Sequence, residues 1–311
     1  MNENPMKQIA IPVLFILLFS WNLSAQITMQ KEEGGLLFLE KGEKVLFYQT
    51  EPKSIEEQYE RCNYIHPLWN VDGTVLTEDF PNDHLHHRGI FWAWHQVWID
   101  DQRIGDPWAI ENFEQKVSDI EFRARKDGSG LLKTKVNWLS EQWKKNGQKV
   151  PYLTENTTVT VHPKTGNYRR IDFEISLLAL EKGLSIGGSE DEKGYSGFSV
   201  RMVLPDDVLF TGPKGKVQPE NTAVQSPGYI NISGSVGKDG KNAGIVIVDN
   251  RSNPGYPQPW ILRAKSSMQN AAFPGNGTVP VLTSVPLVLK YSLLVYSGKM
   301  NDRKIRKALD K

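Results

Sequence analysis

Five of the six histidines in this chain lie between positions 66 and 95. They are His66, His84, His86, His87 and His95. Histidine exchanges protons near neutral pH, and a carboxylate beside it determines which ring nitrogen carries the proton. Aspartates and an arginine occupy the same stretch, so the residue types needed for general acid–base chemistry are concentrated in one segment.

Within this stretch we predict a catalytic role for His84, His87, Arg88, Asp79 and Asp83. One of the two histidines is expected to act as general base or acid, and one of the two aspartates is expected to orient it. The Arg88 guanidinium is expected to bind a developing oxyanion or a sugar carboxylate through paired donors. Proline, asparagine and glycine bracket the segment, which predicts a loop that enters a strand.

A metal ion is an alternative use of the same histidines. His84 and His86 are two positions apart, so on a strand they would face the same side. With His66, His95 or a carboxylate they would form a three-ligand site with an open position, as catalytic zinc requires. Copper or iron would also accept such ligands. The spacing matches no strict zinc motif, so the cofactor is left open as none or one divalent metal ion.

Tryptophans follow the histidines closely. Residues 91–98 alternate, and Trp92 and Trp94 would share one face of a strand with Trp98. The indoles either belong to the core or form a platform for the apolar face of a pyranose, because tryptophan combines a flat apolar ring with a polar N–H. We predict that Trp92 and Trp94 bind substrate, together with His66 and His95.

Two further polar loops are candidates for sugar recognition. The glycine-rich acidic segment 187–194 contains Glu190, and the polar segment 249–257 contains Asn250 and Asn253, with Trp260 just beyond. Rigid loops that are rich in hydrogen-bonding side chains suit the recognition of sugar hydroxyl groups. The alternative for both segments is ordinary turn chemistry.

The elements that must position these residues are mostly strands. Short apolar runs at 36–39 and 45–48 are separated by a turn sequence, which predicts a hairpin. Residues 133–138 alternate, with Thr134, Val136 and Trp138 on the buried face. Helices are predicted only at 54–61 and 301–309, the second capped by Asn301. The pattern predicts an all-β fold, a large β sandwich in one domain over residues 26–311.

The N-terminal sequence indicates export. Lys7, an apolar run at 9–21 and small residues before Gln26 are typical of a secretory signal peptide over residues 1–25, cleaved after Ala25. The run is shorter than the roughly 20 residues that span a bilayer, so we expect a secreted or periplasmic protein without membrane insertion. The net charge of +1 and the lack of a basic patch argue against nucleic acid as a partner. The only cysteine, Cys62, excludes an internal disulfide.

Several motifs resemble a family of secreted bacterial proteins known as PmoA-like. The first block comprises Tyr64-Ile65-His66-Pro67-Leu68, Asp79-Phe80-Pro81, Asp83-His84, His86-His87-Arg88-Gly89 and Trp92; the second comprises Asp249-Asn250, Ser252-Asn253-Pro254, Pro257 and Trp260. The segment from Tyr291 to Gly298 resembles the family's closing strand. There the chain departs from the pattern, because Ser292 stands where the family commonly has arginine and Tyr296-Ser297 replaces a polar pair.

The family name suggests a methane oxygenase subunit, which is an integral membrane protein, and this chain lacks such spans after residue 25. The resemblance instead implies a role in glycan metabolism. A broader resemblance to galactose-mutarotase-type β sandwiches implies a supersandwich fold and proton transfer on a sugar by histidine and carboxylate, although fold does not by itself determine function.

These observations predict a carbohydrate-active enzyme that acts on a sugar or glycoside by hydrolysis, elimination or epimerisation. Glycosidases normally need two carboxylates, and no such pair stands out, so histidine-centred proton transfer is preferred. The alternatives are a noncatalytic glycan-binding protein and a metal-dependent oxidoreductase with histidine ligands.

Overall fold

Two large antiparallel sheets face each other across an apolar core in this computed structural model, which describes residues 26–309. The all-β sandwich expected from the sequence is confirmed. The predicted signal peptide, residues 1–25, lies outside the described residues. The strands in chain order are β1 (Ile27–Glu32), β2 (Gly35–Glu40), β3 (Glu43–Gln49), β4 (Lys53–Ile55), β5 (Gln58–Arg61), β6 (Tyr64–Leu68), β7 (Ile90–Trp94), β8 (Gln96–Ile99), β9 (Gln102–Gly105), β10 (Glu114–Ala124), β11 (Gly130–Leu139), β12 (Lys144–Lys145), β13 (Gln148–Lys149), β14 (Leu153–Val161), β15 (Tyr168–Ala179), β16 (Leu184–Gly187), β17 (Ser196–Val200), β18 (Leu209–Gly212), β19 (Gly215–Lys216), β20 (Tyr229–Gly234), β21 (Ala243–Asp249), β22 (Trp260–Ile261), β23 (Gln269–Ala271), β24 (Thr278–Pro280) and β25 (Leu287–Ser297).

The strands divide among two large and three small sheets. An eight-stranded sheet has the order β1-β2-β3-β6-β7-β17-β23-β22, and a nine-stranded sheet has the order β10-β11-β14-β15-β25-β21-β20-β18-β19. A four-stranded sheet, β24-β16-β8-β9, extends from the end of β7, and β4–β5 and β12–β13 are separate hairpins. The helix α1 (Asp302–Leu309) ends the described chain, and a short 3-10 turn spans Lys238–Gly240.

Aromatic side chains from the two large sheets meet in the core. The rings of Trp92 and Phe173 lie 6.3 Å apart, and those of Phe198 and Tyr291 lie 4.6 Å apart. Each fully buried side chain of this size contributes roughly 1.5–3 kcal/mol by leaving water. This packing fixes β7 and β17, the two neighbouring strands that flank the histidine-rich loop.

One buried carboxylate also ties the sheets together. Glu155 on β14 is fully buried and accepts hydrogen bonds from the indole N–H groups of Trp92 (2.8 Å) and Trp138 (3.0 Å), from Asn63 Nδ2 (2.7 Å) and from Thr157 (2.6 Å). Burial raises the pKa of Glu155. Because four donors converge on one carboxyl group, β7 is held at a fixed height above the opposite sheet.

The predicted hairpin over residues 36–48 is present as β2 and β3, and the predicted buried face of β11 is confirmed, since Thr134, Val136 and Trp138 are buried. The closing helix is confirmed as α1, where Asn301 Oδ1 accepts the N–H of Lys304 at 3.0 Å as an N-cap does.

The helix predicted over residues 54–61 is wrong. The segment forms the β4–β5 hairpin, and its turn residues Glu56 and Glu57 have positive φ angles of 50° and 60°. Left-handed residues at both turn positions are typical of tight hairpins and cannot continue a right-handed helix. The chain leaving β5 then enters β6 directly below the histidine-rich loop.

Candidate functional site

The loop between β6 and β7 folds into two consecutive turns that gather three histidine rings. His84 N–H donates to the carbonyl of Pro81 at 3.0 Å, and His87 N–H donates to the carbonyl of His84 at 2.9 Å. The rings of His84 and His87 stack at 4.6 Å, and the ring of His86 meets that of His87 edge-on at 4.6 Å. The loop prediction is confirmed, so the strand geometry considered for His84 and His86 does not apply, although their rings lie 5.7 Å apart.

His84 forms a couple with a carboxylate. Its Nδ1 lies 2.7 Å from Asp83 Oδ2. Arg201 on the neighbouring chain segment after β17 donates to both carboxylate oxygens of Asp83, at 2.7 and 2.9 Å, and to Glu78 at 2.8 Å. Partial burial acts to raise the pKa of Asp83, but the hydrogen bonds from Arg201 and His84 outweigh it and lower that pKa to about 2. The carboxylate is therefore ionised and fixed, and it holds Nδ1 of His84 as the hydrogen-bond donor.

His95, between β7 and β8, forms a second couple of the same kind. Its Nδ1 lies 2.9 Å from Asp106 Oδ2, and Asp106 Oδ1 accepts the N–H of Ala109 at 2.8 Å. Arg103 lies 3.3 Å from the same carboxylate and also donates to the carbonyl of His95 at 2.7 Å. Among the described residues, no hydrogen bond is made by Nε2 of either His84 or His95. The side chains of these two histidines are 45% and 22% exposed, so both couples can reach a solute.

Trp108 lies between the two couples. Its indole stacks on His95 with ring centroids 5.4 Å apart and meets His87 edge-on at 6.2 Å. Tyr195, at the end of the 187–194 loop, packs against the other side at 5.7 Å. Since His87 in turn stacks on His84, one continuous layer of rings connects the two histidine–aspartate couples.

His86 and His87 differ electrostatically from the two coupled histidines. Burial, reinforced by the neighbouring histidines, lowers the pKa of His86 to about 4 and that of His87 to about 2. Both rings are therefore neutral at physiological pH. Nδ1 of His87 lies 3.4 Å from Nη1 of Arg201, and because a guanidinium can only donate, this nitrogen accepts and Nε2 of His87 carries the proton.

Arg88 and Asp79 are brought together, but in the buried part of the loop rather than at its surface. Arg88 is fully buried, and its guanidinium donates to the carbonyls of Leu85 (2.6 Å) and Tyr59, and lies 3.5 Å from Asp79. Asp79 also pairs with Lys53 at 2.8 Å. This placement corrects one expectation, because Arg88 shapes the loop instead of facing a substrate. Of the two aspartates considered, Asp83 is the one that lies against a histidine.

His66 lies on β6, away from the stacked rings. Its Nδ1 is 3.0 Å from the hydroxyl of Thr77, and burial lowers its pKa. No ring contact joins it to His84, His86 or His87 among the described residues. A direct role beside the other histidines is therefore not supported by its position.

The tryptophans predicted to bind sugar are core residues, which corrects that expectation. Trp92, Trp94 and Trp260 are each at most 2% exposed. Their indole N–H groups are all used inside the protein, by Glu155, the carbonyl of Phe273 and the carbonyl of Ser226. The alternation over residues 91–98 also breaks, because β7 ends at Trp94 and β8 joins a different sheet. Both faces of the strand are buried, which sequence alternation cannot reveal, so these indoles do not form a platform for a sugar ring.

The two other polar loops have different outcomes. Glu190 lies 3.5 Å from Arg103, so the 187–194 loop reaches the rim of the His95–Asp106 couple as the functional alternative predicted. Asn250 caps its own turn by accepting from Ser252. Asn253 is buried and bonded to Asp249 at 2.8 Å and to both backbone groups of Lys290. The 249–257 loop is therefore stabilised by turn chemistry, the alternative considered for it.

Residues 26–309 contain no group of three or more histidine, cysteine, aspartate or glutamate side chains arranged to hold a metal ion. The part of the chain that the structure describes also contains no helix long and apolar enough to cross a membrane. The divalent ion stays a prediction.

Sequence reasoning missed the residues that complete the site. They are Asp106, Trp108, Arg103, Arg201, Tyr195 and Arg61. Asp106 and Trp108 follow His95 closely enough for a wider window to include them. Arg201 is 118 positions from Asp83, and no local pattern links the two.

The sequence matches one family model. A family of unknown function, DUF6807, covers residues 36–310. No curated protein matches the sequence significantly.

Proposed function

The chain belongs to the DUF6807 family, and from its own geometry we propose that it is a carbohydrate-active enzyme that transfers protons on a sugar, with His84 and His95 as its acid and base. The observation that carries this proposal is the pair of couples, His84–Asp83 and His95–Asp106, each with an anchored carboxylate, a partly exposed imidazole and an Nε2 that makes no hydrogen bond among the described residues. An imidazole held in this way is a competent general base, and its protonated form is a competent general acid.

Two such groups, connected through the rings of His87 and Trp108, favour epimerisation among the reactions considered. One Nε2 removes a proton from the substrate, and the protonated imidazole of the other couple returns a proton at the opposite side. In the reverse direction the roles exchange. The reaction needs no second substrate.

The carbohydrate class rests on the resemblance and on the polar rim of the site. The segments 64–92 and 249–260 resemble PmoA-like proteins, for which a role in glycan metabolism is implied. The rim of the site is polar, with Glu190 and Arg103 exposed beside His95. We also propose that residues 1–25 direct secretion, which would place the enzyme where polymeric carbohydrate is met.

Deuterium exchange tests the proposal. The full mature chain is incubated in heavy water with a panel of neutral and acidic monosaccharides and small glycosides, and incorporation at carbon and the change of configuration are followed by NMR. We expect incorporation into at least one sugar, lost in His84→Gln and in His95→Gln. Sugar binding without exchange would favour a glycan-binding protein instead. Exchange that is abolished by a chelator and restored by a divalent ion would favour the metal-dependent alternative.

A further inference from the structure

Four arginines of the described chain are more than nine-tenths buried. They are Arg61, Arg88, Arg169 and Arg201. Moving a guanidinium out of water is costly unless a carboxylate compensates its charge. Three of them have such a partner: Arg88 lies 3.5 Å from Asp79, Arg169 lies 2.7 Å from Glu40, and Arg201 chelates Asp83.

Arg61 is the exception. It is 2% exposed, and no ion pair among residues 26–309 includes it. Its one hydrogen bond is from Nη2 to the carbonyl of Pro107, and its Nε is buried without a partner. The remaining contacts are aromatic, with Cζ 5.3 Å from the ring centroid of Phe91 and 5.9 Å from that of Phe113. Burial, reinforced by the charge of Arg88, lowers the pKa of Arg61 to about 9 although the Asp106 carboxylate acts to raise it, and Arg61 stays a cation at neutral pH.

This cation, which has no ion pair among the described residues, belongs to the histidine site. The carbonyl that it bonds is that of Pro107, the residue before Trp108. The Phe91 ring beneath it lies 5.6 Å from Trp108 and 6.2 Å from His87. Its positive charge is also one of the causes that lower the pKa of His86. Arg61 is thus separated by one ring, that of Phe91, from the layer of rings that connects the two histidine–aspartate couples.

We propose that Arg61 binds a carboxylate of the substrate, so that the sugar acted on is a uronic acid or a related sugar acid. The inference rests on the proposed function and names its substrate class. A guanidinium with free N–H groups in a poorly hydrated site is suited to pair with a planar carboxylate. The incoming carboxylate supplies the negative charge that the protein supplies to the other three buried arginines.

The pairing also explains how a carbon-bound proton becomes removable. One imidazole takes the proton from the carbon next to the carboxylate, and the electron pair of that C–H bond moves into the carboxylate, whose developing second charge faces Arg61. The second imidazole then protonates the same carbon on the opposite face. No oxidant, reductant or co-substrate is consumed.

Equilibrium binding to the full mature chain tests the proposal without any need for turnover. The probes are glucuronate and galacturonate, with glucose and galactose as their neutral counterparts, followed by calorimetry and by Trp108-dependent fluorescence. A charge-assisted hydrogen bond is worth about 1.5–3 kcal/mol, so we expect the uronates to bind about tenfold to a hundredfold more tightly. Equal affinity for neutral and acidic sugars in the unmodified chain, or no uronate binding up to millimolar concentration, would overturn the proposal.

The chain offers a matched control variant. Lys53 lies opposite Arg61 in the β4–β5 hairpin, so Lys53→Gln removes the same charge from the same element. Arg61→Gln should abolish the preference for uronates, whereas Lys53→Gln should retain it. Circular dichroism checks folding, and Arg61→Lys, which keeps the charge without the paired donors, should retain a reduced preference. A full preference in folded Arg61→Gln contradicts the proposal.

Two further outcomes separate the hypotheses. A sulfated sugar that binds as tightly as the uronates, and does so through Arg61, would replace the carboxylate by a sulfate ester. Uronate binding that depends on Arg61 but is followed by no deuterium exchange would keep the substrate class and refute the proton-transfer function. Deuterium exchange on neutral sugars alone would keep the proton-transfer function and refute the uronic acid as substrate class.

Discussion

The loops at 78–88 and 249–260 are similarly rich in polar side chains, yet they use their hydrogen-bonding groups in opposite ways. In the second loop, Asn253 and Gln258 form their hydrogen bonds with Asp249, Pro254 and Lys290, all within the fold. In the first, Asp83 is held by Arg201 and accepts from Nδ1 of His84, while Nε2 of His84 makes no hydrogen bond among the described residues. Polar density therefore does not identify a site. The useful sign is a group whose partners fix its orientation but do not consume its reactive atom.

The largest expected effect comes from removing an available nitrogen. His84→Gln or His95→Gln should each lower the rate of deuterium exchange by about 10²–10⁴-fold, the usual contribution of a general acid or base. Stability should change little, because both side chains are partly exposed. Exchange rates per folded molecule are measured, with Asn250→Ala in the other loop as the control. Unchanged rates in both histidine variants would remove the distinction between the loops.

A smaller effect is expected from the arginine that anchors the first couple. Arg201→Gln frees Asp83 and Glu78, so we expect a loss of exchange rate of about tenfold, since misorientation of a catalytic base costs less than its removal. Unfolding in urea should also show a loss of about 1–3 kcal/mol from the broken charged hydrogen bonds. Arg103→Gln provides the parallel change at the second couple. A normal rate in both would show that the anchoring is irrelevant.

In the other loop, substitution should affect stability alone. Asn253→Ala leaves Asp249 and the backbone groups of Lys290 without partners, which we expect to cost about 1–3 kcal/mol in the free energy of unfolding. The exchange rate of the folded variant should equal that of the unmodified chain. A selective loss of activity at full stability would mean that this loop contacts the substrate after all.

Acid should act on the first loop before the second. The pKa of His86 is lowered by burial from 6.5 to about 4 in the folded chain, so the unfolded state binds more protons between these values. Stability is therefore complete above pH 6.5 and falls as the pH drops, by at most about 1.4 kcal/mol per pH unit for each buried histidine. His86→Phe should flatten this slope when unfolding is followed at several pH values. An identical slope in the variant would contradict a buried neutral His86.

The fold was more accessible to sequence reasoning than the site, for a physical reason. Period-two alternation identified β11, and the turn between β2 and β3 identified their hairpin, because both signals are local. Alternation places Trp92 and Trp94 on a common face. It does not tell whether a second sheet covers that face. The couple of His84 with Asp83 is likewise local, since the residues are adjacent. Arg201 and Arg61 enter the site only through tertiary packing, and no pattern in the chain anticipates them.

The proposed mechanism requires a bare Nε2 on two imidazoles, and nitrogen-15 NMR of the histidine rings measures without a substrate which nitrogen carries the proton. Asp83 and Asp106 each accept from Nδ1, so the neutral rings of His84 and His95 should both carry their proton on Nδ1 and leave Nε2 bare. His87 should show the opposite tautomer, because Arg201 donates to its Nδ1. Finding the proton on Nε2 of His84 or His95 would show that the reactive nitrogen is not available and would contradict the proposed mechanism.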